Sequence, residues 1–270
     1  MRRVVCFILL FNISLIPLCQ ASTDLSKINI SIIGDRNYAP YSYEEDNIAK
    51  GLYVKILTRA FDQLNDYQVT ITMEPWKRGL SMIKKGANLA IFPPYYWPEK
   101  RAFISIYSEP IYKEQVVSIC HKSRVTSNKM QWPNDYKGLK VGTNRGFLAP
   151  GVEFFELVKV GKIDLIETQN SERAIRLLSL KRIDCYVNSK LTINWTINNL
   201  IKSTAYKGLV DDLLYTSVIS ENNAYIGYSK RYLEQHPSQA GFIEDVNQVI
   251  RKMREEGVLA NILKDFLAKP

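Results

Sequence analysis

Segments with strand periodicity and segments with helix periodicity alternate along this chain. Ile28–Ile33 alternates apolar and polar residues as a strand does, and apolar residues recur at helical spacing through Gly51–Leu64. Val69–Met73 predicts the next strand, Trp76–Ile83 a short helix and Asn88–Phe92 a third strand. Because strands that alternate with helices form parallel sheets covered by helices, this order predicts an α/β fold.

The alternation restarts in the second half of the chain. Leu139–Val141, Ile163–Ile166 and Ile183–Val187 have the composition of strands, with helical patterns between them. Two further helices, near residues 241–255 and 259–267, close the chain. We therefore predict two α/β units, the first completed by the C-terminal helices, with two crossings of the chain between them. A length of 270 residues provides enough chain for both units.

Four shorter segments complete the predicted pattern. Tyr38–Tyr43 is rich in tyrosine and contains a proline, so it predicts an aromatic loop. Phe103–Ile106, Gln115–Cys120 and Ala224–Tyr228 are apolar runs that predict further strands.

The first 21 residues have the pattern of an export signal. Arg2 and Arg3 precede the apolar run Val4–Leu18, and the small residue Ala21 follows it. The run is about 15 residues long, shorter than the roughly 20 that span a bilayer. We predict a signal peptide over residues 1–21, cleaved near Ala21, a periplasmic protein and no stable membrane insertion, with a retained anchor as the alternative.

The positive charge of the chain does not indicate nucleic-acid binding. The formal net charge is +9, and removal of the signal peptide takes Arg2 and Arg3 from it. The remaining lysines and arginines form no concentrated block, and export separates the protein from nucleic acid. A generally basic surface instead favours anionic solutes or an acidic docking partner.

The sequence lacks the common motifs for cofactor and metal chemistry. It contains no G-x-x-x-x-G-K-[ST] phosphate loop, no G-x-G-x-x-G fingerprint and no G-x-S-x-G elbow. The two histidines, His121 and His236, are far apart and have no acidic or cysteine neighbour at ligand spacing. We therefore expect no cofactor, no metal and no histidine-based triad.

Two cysteines, Cys120 and Cys185, remain after the signal peptide is removed. Export to an oxidising compartment permits a disulfide between them. Each cysteine lies within an apolar strand-type run, Val116–Cys120 and Ile183–Val187, where a buried free thiol is an ordinary core residue. We expect buried free thiols and keep the disulfide as the alternative.

A series of short motifs runs in order along the mature chain. In chain order they are Gly34-Asp35, Tyr38-Ala39-Pro40-Tyr41, Gly51-Leu52-Tyr53-Val54, Trp76, Gly86–Ala90, Pro98–Arg101, Ser108–Tyr112, Leu139–Gly142, Lys181–Asp184 and Glu255-Glu256-Gly257. Each motif is common by itself, but over almost the whole mature chain their order and spacing resemble those of the periplasmic solute-binding proteins of family 3. Proteins of that family capture polar amino acids for ABC importers.

The resemblance implies a Venus-flytrap fold of the type II periplasmic-binding-protein class, in which two α/β lobes are joined by two hinge crossings. By analogy, the first lobe comprises residues 23–110 and 225–270 and the second residues 116–220, with hinges at 111–115 and 221–224. The family binds a small molecule in the cleft between the lobes and docks with the membrane subunits of an ABC importer. We expect the same partners here, and a monomer.

The resemblance also implies ligand-binding residues. Arg101 matches the family arginine that holds the ligand's α-carboxylate, and a guanidinium offers a rigid fork of donors for such a group. Tyr38 and Trp76 match two aromatic walls around the ligand's side chain. Asp35 follows the first strand, where the family contacts the ligand's distal group, and Tyr96 adds an aromatic ring in a nearby loop. The plainer alternatives are a surface arginine, core aromatic residues and a turn aspartate.

Two positions depart from the family pattern. Ser189 stands where the family has the aspartate that pairs with the ligand's α-ammonium, Asn188 precedes it, and neither carries a negative charge. A buried ammonium without a carboxylate is unfavourable, so either Asp35 or Glu44 replaces that aspartate or the ligand lacks an α-amine. Pro94 replaces a family glycine and offers only its carbonyl oxygen.

With these departures, the resemblance still implies a small polar or anionic, amino-acid-like solute, and it leaves open whether that solute is an amino acid. Arg145 and Gly146, in the loop before a second-lobe helix, are candidate donors to an anion at that helix N-terminus.

We predict a binding protein and no enzyme. The alternatives are a periplasmic enzyme similar to cyclohexadienyl dehydratase, with Glu44 or Asp35 as acid, and a solute sensor for a membrane signalling partner.

Overall fold

The chain is described here by a computed structural model over residues 27–125, 127–202, 208 and 210–268. The predicted signal peptide, residues 1–21, lies outside the described residues. The strands are β1 (Ile28–Asp35), β2 (Asn37–Tyr38), β3 (Ser42–Glu45), β4 (Ile48–Lys50), β5 (Tyr67–Glu74), β6 (Ala90–Phe92), β7 (Ile104–Tyr107), β8 (Tyr112–His121), β9 (Lys140–Asn144), β10 (Asp164–Thr168), β11 (Cys185–Ser189), β12 (Leu213–Ala224) and β13 (Gly227–Ser229). The α-helices are α1 (Leu52–Phe61), α2 (Trp76–Lys85), α3 (Val152–Lys159), α4 (Ser171–Ser179), α5 (Lys190–Leu200), α6 (Lys230–Gln235), α7 (Ala240–Glu255) and α8 (Val258–Leu267).

The first five-stranded sheet has the order β5-β1-β6-β13-β7. β1 is parallel to β5 and β6, whereas β13 is antiparallel to its neighbours β6 and β7. Helices α1 and α2 pack on this sheet, and α7 and α8 pack on α1. The core lies beneath these helices and includes Ile32, Leu52 and Phe242, each less than 1% exposed. The predicted parallel strands with covering helices are confirmed in this half of the molecule.

The second five-stranded sheet has the order β10-β9-β11-β8-β12. β9 is parallel to β10 and β11, while β8 is antiparallel to β11 and β12. The chain leaves the first sheet along β8 and returns to it along β12, and the two strands pair from Tyr112 opposite Ala224 to His121 opposite Leu213. The predicted hinge segments, 111–115 and 221–224, therefore lie side by side. The lobe boundaries drawn from them stay a prediction.

Two segments fold differently from the sequence-based prediction. The predicted strand Ala224–Tyr228 is divided between two strands, since β12 ends at Ala224 and β13 begins at Gly227. Between them, the N–H of Tyr225 donates to the carbonyl of Pro94 and not to a neighbouring strand of either five-stranded sheet. The long first part of β12 was not predicted at all. Register irregularities at Tyr215/Ser217 and Val218/Ser220 interrupt the alternation by which a strand is recognised.

The segment predicted as an aromatic loop, Tyr38–Tyr43, contributes to a three-stranded antiparallel sheet of β2, β3 and β4. Asp46 and Asn47, which join β3 to β4, both have positive φ angles, as a two-residue type I′ hairpin turn requires. The Asp-Asn pair was therefore the sequence signal for this hairpin.

Cys120 and Cys185 form a disulfide, so the expectation of free thiols is wrong. The two cysteines are directly opposite in the antiparallel pair of β8 and β11, and their Cα atoms are 4.0 Å apart. The sequence identified both runs as strands but did not indicate that they are neighbours or in which register they pair.

No helix within the described part of the chain combines the length and the apolar character needed to cross a membrane.

Candidate functional site

The candidate site is a cavity between the two sheets. Its wall on the side of the first sheet includes Asp35, Tyr38, Trp76 and Arg101, and the loop after β9 in the second sheet supplies Phe147 and Leu148. The cavity has a volume of about 20 Å³, which is room for about one water molecule.

The parallel strands of the first sheet explain why these residues meet. Asp35 is the last residue of β1, and Trp76 is the first residue of α2, which follows β5. Arg101 lies in the connection between β6 and β7. Because the carboxyl ends of parallel strands lie at one edge of a sheet, the segments that follow them meet at that edge, where α/β proteins bind ligands.

Arg101 is a buried cation in this cavity. It is 5% exposed, and burial lowers the pKa of its guanidinium to about 10, so the group keeps its charge at neutral pH. Its Nη2 donates to the carbonyl oxygen of Gly146 at 3.3 Å, and the guanidinium carbon is 5.2 Å from the ring centroid of Trp76. None of the ion pairs among the described residues includes Arg101. A desolvated guanidinium without an acidic partner favours an anionic ligand.

Asp35 is a buried acid in the same cavity. It is 2% exposed, and burial raises the pKa of its carboxyl to about 7, although the backbone N–H of Asn37 donates to Oδ1 at 2.9 Å. Like Arg101, Asp35 belongs to none of the ion pairs found in the described part of the chain. The cavity thus presents one group of each sign.

The two predicted aromatic walls both contact Phe147. The ring centroids of Tyr38 and Phe147 are 5.1 Å apart, and those of Trp76 and Phe147 are 6.2 Å apart, each pair in an edge-on arrangement. Phe147 comes from the loop after β9, so this aromatic cluster joins the two sheets. Sequence reasoning did not identify Phe147, because nothing in the loop's own pattern shows which surface it faces.

Glu114 is a second buried acid that sequence reasoning missed. It lies in β8 at 1% exposure, and the hydroxyls of Tyr38, Tyr53 and Tyr95 donate to its carboxylate. Burial raises the pKa of Glu114 to about 7, against these hydrogen bonds, which lower it. Strand alternation places Glu114 on the same face as the buried Val116, and this was the available signal.

Glu44, the other acid considered from sequence, does not line the cavity. It forms an ion pair with Arg36, whose Nε lies 3.2 Å from Oε1 of Glu44.

Asn188 and Ser189 lie at the end of β11, buried and engaged with protein groups. The Ser189 hydroxyl bonds to the Tyr41 hydroxyl at 2.8 Å, and Nδ2 of Asn188 donates to the Ser171 hydroxyl at 3.2 Å. The structure does not place either residue in the wall of the cavity. Their predicted contact with a ligand stays a prediction.

The other predicted residues lie around the cavity. Gly146 accepts a hydrogen bond from Arg101, and Arg145 lines an adjoining cavity of about 250 Å³ that Asp35 also lines. Tyr96 is 61% exposed and packs against Tyr107 and Tyr225, outside the cavity wall. The carbonyl of Pro94 accepts from the N–H of Tyr225 at 3.1 Å, and its predicted contact with a ligand stays a prediction.

Several solved structures share this fold over nearly their whole length. A histidine kinase sensor domain with similarity to periplasmic binding proteins is 20% identical with a TM-score of 0.72, and the alignment covers 90% of this chain and 97% of that one. The substrate-binding protein of an ABC uptake transporter from Streptococcus pneumoniae, with bound histidine, is 16% identical with a TM-score of 0.67, covering 89% and 93%. An ancestral amino acid-binding protein that is a precursor of cyclohexadienyl dehydratase is 14% identical with a TM-score of 0.64, covering 88% and 95%.

At these identities the likeness establishes the fold alone, and it confirms the predicted two-lobed, type II periplasmic-binding-protein fold. A search of curated protein sequences finds no match. A family model, described as bacterial extracellular solute-binding proteins, family 3, matches residues 30–269, which include all the predicted site residues. The chain therefore belongs to the bacterial extracellular solute-binding proteins of family 3.

Proposed function

We propose that this protein is exported, is cleaved near Ala21, and binds a small anionic or amino-acid-like solute in the cleft between its lobes for delivery to an ABC importer. The observation that carries this proposal is Arg101, a buried guanidinium that faces the cavity and has no acidic partner among the described residues. A buried guanidinium without an acidic partner is stabilised by an anion that can reach it.

Arg101 would bind the carboxylate of the solute through two parallel N–H···O bonds. Closure of the lobes around the solute removes water from this pair, and the lower local dielectric strengthens it. Tyr38 and Trp76 would contact the solute's apolar part, since both rings line the same cavity.

Asp35 would pair with an ammonium group of the solute. It is the acid that replaces the missing family aspartate in this proposal, because Glu44 is paired with Arg36 and Glu114 is enclosed by tyrosine hydroxyls. A bound cation would lower the raised pKa of Asp35 and keep its carboxyl ionised. With a solute that lacks an amine, a protonated Asp35 would donate a hydrogen bond instead.

The experiment that tests the proposed function is a thermal-shift screen of the mature protein against amino acids, dipeptides, polyamines and organic acids. Binding to the folded state raises the melting temperature by an amount that grows with RT ln(1 + [L]/Kd). We expect carboxylates to stabilise the protein and polyamines to leave it unchanged. Stabilisation by polyamines alone would contradict the assignment of an anion site.

A second candidate, a dehydratase on the same fold, is favoured by one observation. Asp35 lines the cavity with a pKa raised to about 7, so near neutral pH it can hold a proton for a leaving hydroxyl. Turnover of prephenate or arogenate by the mature protein, lost in Asp35→Asn, would establish this activity. Stoichiometric binding without product would exclude it.

A further inference from the structure

A tight turn from the second sheet contacts Arg101, Tyr38 and Trp76 of the proposed ligand site on the first. The turn runs from Asn144 to Phe147, and the N–H of Phe147 donates to the carbonyl of Asn144 at 3.0 Å. Its third residue, Gly146, has a φ of +81°, as a type II turn requires. Glu167 fixes the turn to β10, because its Oε1 accepts from the N–H of Gly146 at 3.0 Å.

The polar end of this turn lies against Arg101. The carbonyl oxygen of Gly146 accepts a hydrogen bond from Nη2 of Arg101 at 3.3 Å. An ideal Cβ on Gly146 would lie 3.6 Å from Cδ1 of Trp76, so the turn's backbone is close to the indole. An oxygen acceptor thus occupies the position at which the proposed function places a carboxylate oxygen.

The apolar end of the turn lies against the two aromatic walls. The ring of Phe147 packs edge-on against Tyr38 and Trp76, and it is part of the apolar clusters of the first sheet although its loop belongs to the second. The cavity that remains has a volume of about 20 Å³, so a solute can reach Arg101 and both walls only where the turn has withdrawn.

We propose that the Asn144–Phe147 turn is an internal substitute for the ligand, and that the solute which displaces it is an aromatic carboxylate. This inference rests on the proposed function and names its solute class. In the turn, the amide nitrogen, Cα and Cβ of Phe147 separate the carbonyl carbon of Gly146 from the ring. The methylene chain of 4-phenylbutyrate separates its carboxyl carbon from its ring by the same number of atoms.

The exchange is favourable because the two occupants differ in charge. The Gly146 carbonyl is neutral and accepts one hydrogen bond from Arg101, whereas a carboxylate can accept two parallel hydrogen bonds and adds the attraction between opposite charges. The aromatic ring of the solute replaces the ring of Phe147 against the same two walls. Displacing the turn costs free energy, and this cost weakens the observed binding of the solute. A substitution that weakens the contacts of the turn with Arg101, Tyr38 or Trp76 should therefore tighten binding.

The test is calorimetric titration of the mature protein with 4-phenylbutyrate. Butyrate lacks the ring and 4-phenylbutylamine lacks the carboxylate, and we expect each to bind at least about 10-fold more weakly.

Phe147→Ala should bind 4-phenylbutyrate about 10-fold more tightly than the wild type. Phe147→Leu, which keeps an apolar side chain on the turn, should change the affinity in the same direction by less. Phe266→Ala removes a half-buried phenylalanine from α8 that lines neither this cavity nor the adjoining one, and should leave the affinity unchanged.

A second measurement needs no ligand. Small-angle scattering should give a larger radius of gyration for Phe147→Ala than for the wild type, because the variant loses the contacts of Phe147 with Tyr38 and Trp76 between the two sheets. If Phe147→Ala changed neither the radius nor the affinity, the turn would not be a ligand substitute.

The outcomes also separate this inference from the proposed function. Binding of aliphatic carboxylates through Arg101, with no preference for an aromatic ring, would overturn the solute class and leave the proposed function standing. If neither the wild type nor Phe147→Ala bound any carboxylate, both would be overturned.

Discussion

At the scale of the residue, burial of the Glu114 carboxyl makes the free energy of unfolding depend on pH. Its pKa is raised from 4.5 to about 7 by burial, so the folded state binds this proton more tightly than the unfolded state. The stabilising contribution is complete below the unfolded pKa near 4.5 and is lost as the pH rises through about 7.

We therefore predict that the free energy of unfolding falls between pH 5 and pH 8, by up to about 3 kcal/mol from Glu114. Glu114→Gln should flatten this dependence, because an amide keeps the neutral state at every pH. Urea denaturation across that range measures the effect, with the exposed Glu153→Gln as control. Parallel profiles for the wild type and Glu114→Gln would show that Glu114 does not titrate there. The raised pKa of Asp35 gives stability a pH dependence in the same direction, and this contribution remains in the wild type and in Glu114→Gln.

Gly51, immediately before α1, adopts a backbone conformation that other residues do not. Its φ is +117° and its ψ is 173°, and an added Cβ would lie 2.4 Å from the carbonyl oxygen of Tyr41. Gly161 also has a positive φ, +71°, but an added Cβ there has no atom within 4 Å.

These two glycines give a matched prediction. Gly161→Ala should cost about 1–2 kcal/mol of stability, the strain of a left-handed alanine. Gly51→Ala should cost more than that, because the backbone of Tyr41 must also move. Chemical denaturation of both variants measures the difference, and equal losses would contradict the close approach.

At the scale of the element, the antiparallel pair of β8 and β11 is cross-linked by Cys120 and Cys185. The cysteines are 65 residues apart in sequence, and closing a loop of that length in the unfolded chain contributes about 4 kcal/mol by the chain-entropy model.

We predict that dithiothreitol lowers the melting temperature of the wild type. The double variant Cys120→Ala with Cys185→Ala should melt at a lower temperature and show no response to the reductant. Equal responses of both proteins would mean that the disulfide does not form.

Local pattern was enough to predict elements whose burial follows a regular period. The parallel strands β1, β5 and β6 and helix α1 fall where the periodicity placed them, within a few residues. β12 was missed because its irregular register breaks the alternation, and the disulfide was missed because strand pairing is a property of two distant segments. Asp46 and Asn47 form the turn of a hairpin that residue-level turn chemistry would have indicated.

At the scale of the whole molecule, the candidate site depends on contacts that no single segment encodes. Asp35, Tyr38, Trp76 and Arg101 were named from the sequence, and the structure brings them to one cavity. Asp35 ends β1, and the other three lie in the chain segments that connect strands of the first sheet, so a family pattern locates them together. Phe147 faces them from the other sheet, and its contact depends on how the two halves of the molecule meet. That arrangement is a tertiary property, which the loop's own sequence does not express.

The central claim is that the cleft binds an anionic solute through Arg101. The most direct test is calorimetric titration of the wild type, Arg101→Ala and Arg173→Ala with the carboxylate that stabilises the wild type most in the thermal-shift screen. Arg173 is the matched control, since it is exposed in α4 and lines neither the cavity nor the adjoining one. We predict that Arg101→Ala weakens binding by about 30-fold or more, the loss expected when one partner of a buried charge pair is removed. Arg173→Ala should bind like the wild type. Wild-type affinity in Arg101→Ala would contradict an anion site at Arg101.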